Sequence, residues 1–301
     1  MRLPHTITLR IATRASALAL WQANHVAELL AVQAEARGLL PEVELVTVST
    51  EGDRRLDVAL SAIGGKGVFV KEVQAAVLDG RADLAVHSAK DLPALTPDGL
   101  VIAALPERAD PRDALVGVRL DDLAAGATVA TGSARRRAQL AALRPDLGFV
   151  ELRGNIDTRL AKVGEVDAIV VAAAALDRLG RTPEVVDRLG VDTMIPQVGQ
   201  AALAVETRAD DTDLTALVAQ LDHADTRTCV TAERSFLETL GGDCELPAGA
   251  YATLVDGAVR LQAMLLAVET GEVCRTELVG EDPVEMGTIA AQELSRRVEL
   301  R

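Results

Sequence analysis

Short apolar segments alternate with helical ones along the first two thirds of the chain, and this alternation constrains the fold more than any other property. Residues 7–13 read as a strand by their apolar content. Ser16 then offers an N-cap to a helix whose apolar stripe is Leu20, Ala23, Ala27 and Leu30. Residues 43–48 alternate as a second strand. Gly64-Gly65-Lys66-Gly67 is a breaker cluster, and 68–78 read as a helix. Residues 83–87 form a short buried strand that delivers Lys90 and Asp91 at its carboxyl end, and 100–105 form another. Such a rhythm predicts a mostly parallel sheet with helices on both faces.

The polar, Pro-bearing stretch 106–112 (PERADPR) is a candidate domain crossing. The rhythm then restarts. Strand 128–131 leads into helix 133–143, strand 148–152 into helix 155–163, and strand 168–171 into helix 172–179. Pro196 closes the block, and 203–206 add a strand before a helix through 214–221. From His223 the character changes: a helix (227–240), the loop Gly241-Gly242-Asp243-Cys244, three alternating runs (249–254, 258–267, 272–278) and a last helix (284–298). This tail predicts a small α+β domain. The expected division is 1–106 with 198–221, then 107–197, then 222–301.

Composition removes several function classes. The 301 residues carry a formal charge of −14, which repels duplex nucleic acid and anionic membrane at long range. Aromatics are 2% of the chain (Trp21, Phe69, Phe149, Phe236, Tyr251), too few for a base-stacking platform. Three cysteines without a CxxC give neither a disulfide framework nor a zinc site and suit a reducing compartment. The start MRLPHTITLR has no apolar core of a signal peptide, and the longest apolar run, 168–176, is half of a membrane span. The expectation is a cytoplasmic protein that binds neither membrane nor nucleic acid.

No Walker loop, GxGxxG after the first strand, GxSxG or HExxH is present, and His5, His25, His87 and His223 are scattered. No metal site is expected. Arginines stand out instead. Arg14 and Arg153 directly follow strands, Arg135 and Arg136 open a helix after one, and Arg159 and Arg178 lie on helices that follow strands. The carboxyl ends of parallel strands line the ligand crevice of such sheets. Guanidinium forks beside helix N-termini there suit a ligand with several carboxylates or phosphates. Taken singly, each is equally well a solvated surface arginine; repeated placement after strands favours the site. Asp91, beside Lys90, is either a turn cap or a carboxylate able to bind N–H groups and move protons. Cys244, in a glycine-rich loop, is an accessible thiol usable for attachment, whereas Cys229 and Cys274 read as small buried hydrophobes.

The run Leu9-Arg10-Ile11-Ala12-Thr13-Arg14-Ala15-Ser16 resembles the opening of the porphobilinogen deaminase (hydroxymethylbilane synthase) family. So do Gly64-Gly65-Lys66-Gly67-Val68-Phe69, His87-Ser88-Ala89-Lys90-Asp91, Ser133-Ala134-Arg135-Arg136, Leu152-Arg153-Gly154-Asn155, Val198-Gly199-Gln200 and Ala232-Glu233-Arg234, in order along the chain. The resemblance implies two α/β domains like type II periplasmic binding proteins and a third, smaller α+β domain. It implies a dipyrromethane cofactor on a thioether to Cys244. The implied reaction condenses four porphobilinogen molecules head to tail, releasing four ammonia and hydroxymethylbilane, in a cytoplasmic monomer. Asp91 would contact pyrrole N–H groups, stabilise the azafulvene cation formed as ammonia leaves, and transfer protons. Arg14, Ser16, Lys66, Ser88, Lys90, Ser133, Arg135, Arg136, Arg153, Gly154, Asn155, Arg159 and Arg178 would bind cofactor or substrate. Phe69 would stack on a ring, and Gln200 would line a hinge. Three positions depart from the family pattern: Ala62 where a lysine is common, Asp243 and Ala201 where glycine is. The alternative is a cytoplasmic dicarboxylate-binding protein of the two-lobed solute-binding class.

Overall fold

The strands form where apolar residues occupy both faces, as in a sheet covered on two sides. In a computed structural model describing residues 5–50, 70–241 and 246–299, β1 (His5–Arg14) pairs in parallel with β2 (Leu39–Val48) and β3 (Leu84–Ser88). Leu9, Ile11, Leu84 and Val86 point to one side, against Val26 and Leu30 of α1 (Ala17–Glu35) and Leu214 and Leu217 of α6 (Thr212–Val218). Ala12 and Ala85 point to the other side, against Val73, Ala76 and Val77 of α2 (Lys71–Leu78). Each large aliphatic side chain so buried contributes about 1.5–3 kcal/mol. The sheet order is β2-β1-β3-β10-β4, with β4 (Leu100–Ala104) and β10 (Leu203–Arg208). Strand β10 runs antiparallel to both neighbours, so the sheet is parallel except for this strand.

A second sheet repeats the pattern in the order β7-β6-β8-β5-β9. Its strands are β5 (Asp113–Val116), β6 (Thr128–Ala130), β7 (Gly148–Val150), β8 (Ala168–Ala172) and β9 (Val186–Arg188). Here β5 is the antiparallel strand. Its helices are α3 (Ala134–Leu143), α4 (Ile156–Leu160) and α5 (Ala173–Arg178). Helix α4 is shorter than the expected 155–163 because the chain turns at 161–166 into a β-bridge between Val163 and Val166. Strands β5 and β9 are not among the expected elements. Each sheet is thus mostly parallel with one antiparallel strand inside it, the mixed form of an α/β lobe.

The last sheet is an antiparallel meander of β11 (Ala248–Val255), β12 (Ala258–Ala267) and β13 (Glu272–Gly280). Helix α8 (Pro283–Glu299) packs on it, and α7 (Ala224–Thr239) precedes it. Gly287 lets α8 approach α7 closely: a Cβ there would lie 2.3 Å from the Ala232 carbonyl oxygen.

By contacts the chain divides into two units, 1–108 with 202–227, and 109–201 with 228–301. The meander thus shares a unit with the second α/β sheet. Cys229 and Cys274 are buried thiols. Among the described residues, no helix is long and apolar enough to cross a membrane, and no cluster of His, Cys, Asp or Glu could hold a metal ion.

Candidate functional site

In the first unit the carboxyl ends of β1 and β3 lie side by side because the strands are parallel neighbours. Strand β1 ends at Arg14, and Ser16 caps α1, its Oγ accepting from the Ala19 N–H at 3.3 Å. Strand β3 ends at Ser88, and one 3-10 turn, Ala89–Asp91, carries Lys90 and Asp91. Arg14, Ser16, Gln22, His87, Ser88 and Asp91 line a cavity of about 60 Å³. Gln22 Nε2 donates to Ser88 Oγ at 2.9 Å and fixes one wall.

Behind that wall lies a carboxylate that sequence reasoning did not single out. Glu206 is fully buried on β10 and accepts from Gln74 Nε2 at 3.0 and 3.1 Å. His87 Nε2 stands 3.0 Å from it, off the hydrogen-bonding direction. The available signal was a charged residue inside the apolar run Leu203-Ala204-Val205-Glu206.

In the second unit Ser133 caps α3, accepting from the Arg136 N–H at 3.4 Å, and Asn155 caps α4, accepting from the Thr158 N–H at 2.9 Å. Arg135 and Arg136 turn inward onto Asp113 of β5. Arg135 Nη2 donates to Asp113 Oδ2 at 2.7 Å, and Arg136 donates from Nε at 3.0 Å and Nη2 at 2.7 Å to Oδ1. Gln200 Nε2 joins them, donating to Oδ1 at 2.9 Å and to the Pro111 carbonyl at 2.8 Å. Burial alone would raise the Asp113 carboxyl. The two guanidiniums overcome this and hold it well below the usual carboxylate range. The cluster carries two positive charges against one negative, and Arg135 Nε is buried without a hydrogen-bond partner. Asp113, too, was missed by sequence reasoning.

The remaining arginines differ in their commitments. Arg153 follows β7, and its Nη1 is buried without a partner. Arg159 Nε donates to the Gly154 carbonyl at 2.8 Å, closing the turn that Gly154 makes at φ +97°. Arg178 Nη2 donates to the Ala201 carbonyl at 2.6 Å, and burial lowers its guanidinium to about 10, still charged at neutral pH. Ala201 itself sits at φ +69°. A side chain in that conformation costs about 1–2 kcal/mol that glycine avoids.

The structure therefore gathers Arg14, Ser16, Ser88 and Asp91 around one cavity, and Arg135, Arg136 and Gln200 around one carboxylate. Lys66, Phe69 and Cys244, with the departures at Ala62 and Asp243, lie outside the described residues.

Two family models match in succession: "Porphobilinogen deaminase, dipyromethane cofactor binding domain" over residues 9–216, and "Porphobilinogen deaminase, C-terminal domain" over 227–296. Porphobilinogen deaminase of Chromobacterium violaceum is 50% identical over 273 residues, covering 88% of this chain and 86% of its own. That of Brevibacillus brevis is 46% identical over 293 residues, covering 95% and 93%. Among solved structures, the periplasmic VFT2 domain of Bordetella pertussis BvgS aligns at TM-score 0.40 with 16% identity, covering 76% of this chain and 92% of that one. The matched models and the length of these alignments establish that the chain belongs to the porphobilinogen deaminase (hydroxymethylbilane synthase) family of tetrapyrrole-building transferases and carries its dipyrromethane-binding domain.

Proposed function

We propose that the chain condenses four porphobilinogen molecules head to tail on a dipyrromethane held by a thioether to Cys244, releasing four ammonia and hydroxymethylbilane. The observation that carries the reading is the convergence of Arg14, Ser16, Ser88 and Asp91 on one cavity at the carboxyl ends of two parallel strands.

The residues present fit such a group. Its rings bear acetate and propionate side chains, and the second unit offers a buried cluster with excess positive charge and unpartnered N–H groups on Arg135 and Arg153. The N-terminus of α3, capped by Ser133 and carrying Arg135 and Arg136 in its first turn, adds to that field. When bound, dipyrromethane would supply the free pyrrole α-carbon to which the first incoming aminomethyl carbon bonds, that carbon losing its proton as the carbon–nitrogen bond breaks and ammonia leaves; each later unit bonds to the ring joined before it, and water completes the released product.

Asp91 lines the cavity with Arg14, so a carboxylate and a guanidinium face the same small volume. Arg14 orients a substrate carboxylate. Asp91 accepts a pyrrole N–H, favours positive charge developing beside it, and receives and returns protons at its Oδ atoms. Gln22 holds Ser88, and His87 fills the gap between the cavity and Glu206, so the walls stay fixed. Lys90, Lys66, Arg159 and Arg178 supply further carboxylate contacts, Gly154 and Asn155 shape the turn beside Arg153, Phe69 stacks on a ring, and Gln200 lines the hinge. The protein acts as a monomer in the cytoplasm.

Intact mass tests the reading. The purified chain should exceed its sequence mass by two linked pyrroles and colour with Ehrlich's reagent, while Cys244→Ser should fold yet carry neither the added mass nor turnover. Normal hydroxymethylbilane production by Cys244→Ser would remove Cys244 from the mechanism.

A further inference from the structure

We propose that Asp113 is the positioning residue of the arginine pair: its carboxylate sets the angle at which Arg135 and Arg136 present one net positive charge to a ligand carboxylate. This rests on the functional reading above and adds a residue to it.

Asp113 opens β5 and is fully buried. Its carbonyl accepts the Leu189 N–H at 2.9 Å, and it stands opposite Ala172 in the β5–β8 register. Its two oxygens divide the guanidiniums between them, Oδ2 taking Arg135 and Oδ1 taking Arg136 and Gln200. The far sides are fixed by carbonyls: Arg135 Nη1 donates to Ile195, and Arg136 Nη1 donates to Val170 at 3.0 Å. The Arg135 stem is also packed. A Cβ added at Gly249 of β11 would lie 3.0 Å from Arg135 Cδ. Neither guanidinium can rotate without breaking a buried contact.

A purely structural role accounts poorly for this arrangement. Well-packed apolar side chains would stabilise the same volume as well or better. A structural ion cluster is expected to balance its charge and satisfy its donors. This one has an excess positive charge and a buried Arg135 Nε without a partner. Both features suit a group that binds an anion. Without the carboxylate, two like charges would repel and swing apart.

The test compares the natural chain with Asp113→Glu, which keeps the charge but moves it by one methylene, and Asp113→Asn, which removes it. Melting temperature, the fraction of molecules carrying the two linked pyrroles by intact mass, and KM and kcat for porphobilinogen are measured on each. Displacements near 1 Å in positioning groups cost as much as about a hundredfold. The expected result is that Asp113→Glu melts close to the natural chain, loads a smaller fraction, and shows KM raised about tenfold or more with kcat of the loaded fraction little changed. Asp113→Asn, where it folds, should show the same split. Full loading with unchanged KM in Asp113→Glu overturns the proposal. So does a loss confined to kcat, or failure of both variants to fold, which would make Asp113 a folding residue. If the natural chain carries no linked pyrroles, the functional reading fails and this inference falls with it; if it is loaded and Asp113→Glu matches it, the inference alone fails.

Discussion

Glu233 on α7 is a fully buried carboxylate that ties three segments of the second unit together. It accepts the Gly199 N–H at 2.7 Å and the Ala252 N–H of β11 at 2.9 Å. Glu233→Gln keeps the volume but leaves one acceptor oxygen, while the amide turns an N–H towards the other backbone N–H. One buried donor is then unsatisfied, at a cost of about 1–3 kcal/mol, and the surviving bond loses its charge assistance, about 1 kcal/mol more. Burying a neutral amide in place of a carboxylate offsets part of this. The balance is a loss of roughly 2 kcal/mol. Units of about 150–250 residues lose roughly 2–4 °C per kcal/mol, so the melting temperature should fall by about 4–8 °C. Scanning calorimetry of the purified variant against the natural chain reads this directly. An unchanged or raised transition would show that the two amides do not depend on the charge, and the reasoning would be wrong. Activity should also suffer, because Gly199 leads into Gln200, which contacts Asp113, and β11 starts four residues after Cys244.

Two further outcomes are expected. Arg10 donates to Asp83 from its backbone N at 2.8 Å and from Nη2 at 2.7 Å, and although burial alone would raise the Asp83 carboxyl, these contacts hold it below its ordinary 3.8. Asp110 beside Arg112 and Arg188 is lowered likewise, against its own burial. A depressed carboxylate stabilises the fold above its unfolded value and loses that contribution as pH falls through the folded value, so melting temperature should be flat above about pH 5 and decline below about pH 4. Asp83→Asn should shallow the decline; an acid limb as steep as that of the natural chain would contradict the assignment. Asp91→Asn should retain its covalent pyrroles by intact mass and lose most turnover, while a near-normal single-turnover rate would exclude Asp91 from proton transfer.

Much of this architecture was legible because burial on both sheet faces demands apolar runs at fixed lengths, and the caps Ser16, Ser133 and Asn155 announce their helices. What escaped was polarity hidden by pairing. Strand β5 is four residues long and begins with Asp113, a residue that reads as a loop until two arginines neutralise it. Strand β9, Val186–Arg188, is too short to show a period. The antiparallel direction of β5 and β10 leaves no mark on residue spacing, since alternation is the same in either sense. The arginines at strand ends were visible, but which were tied to a carboxylate depends on contacts between residues far apart in sequence, such as the 87-residue span from Asp113 to Gln200.

Strand β10 lies inside the first sheet, hydrogen-bonded to β3 on one side and β4 on the other, yet it is synthesised some hundred residues after either. A nascent chain emerging from the ribosome therefore holds β3 and β4 with bare facing edges throughout translation of the inserted lobe. Such open edges invite mispairing, so the first lobe is exposed to aggregation until residue 208 clears the exit tunnel, and truncations ending before residue 203 should be recovered in the insoluble fraction.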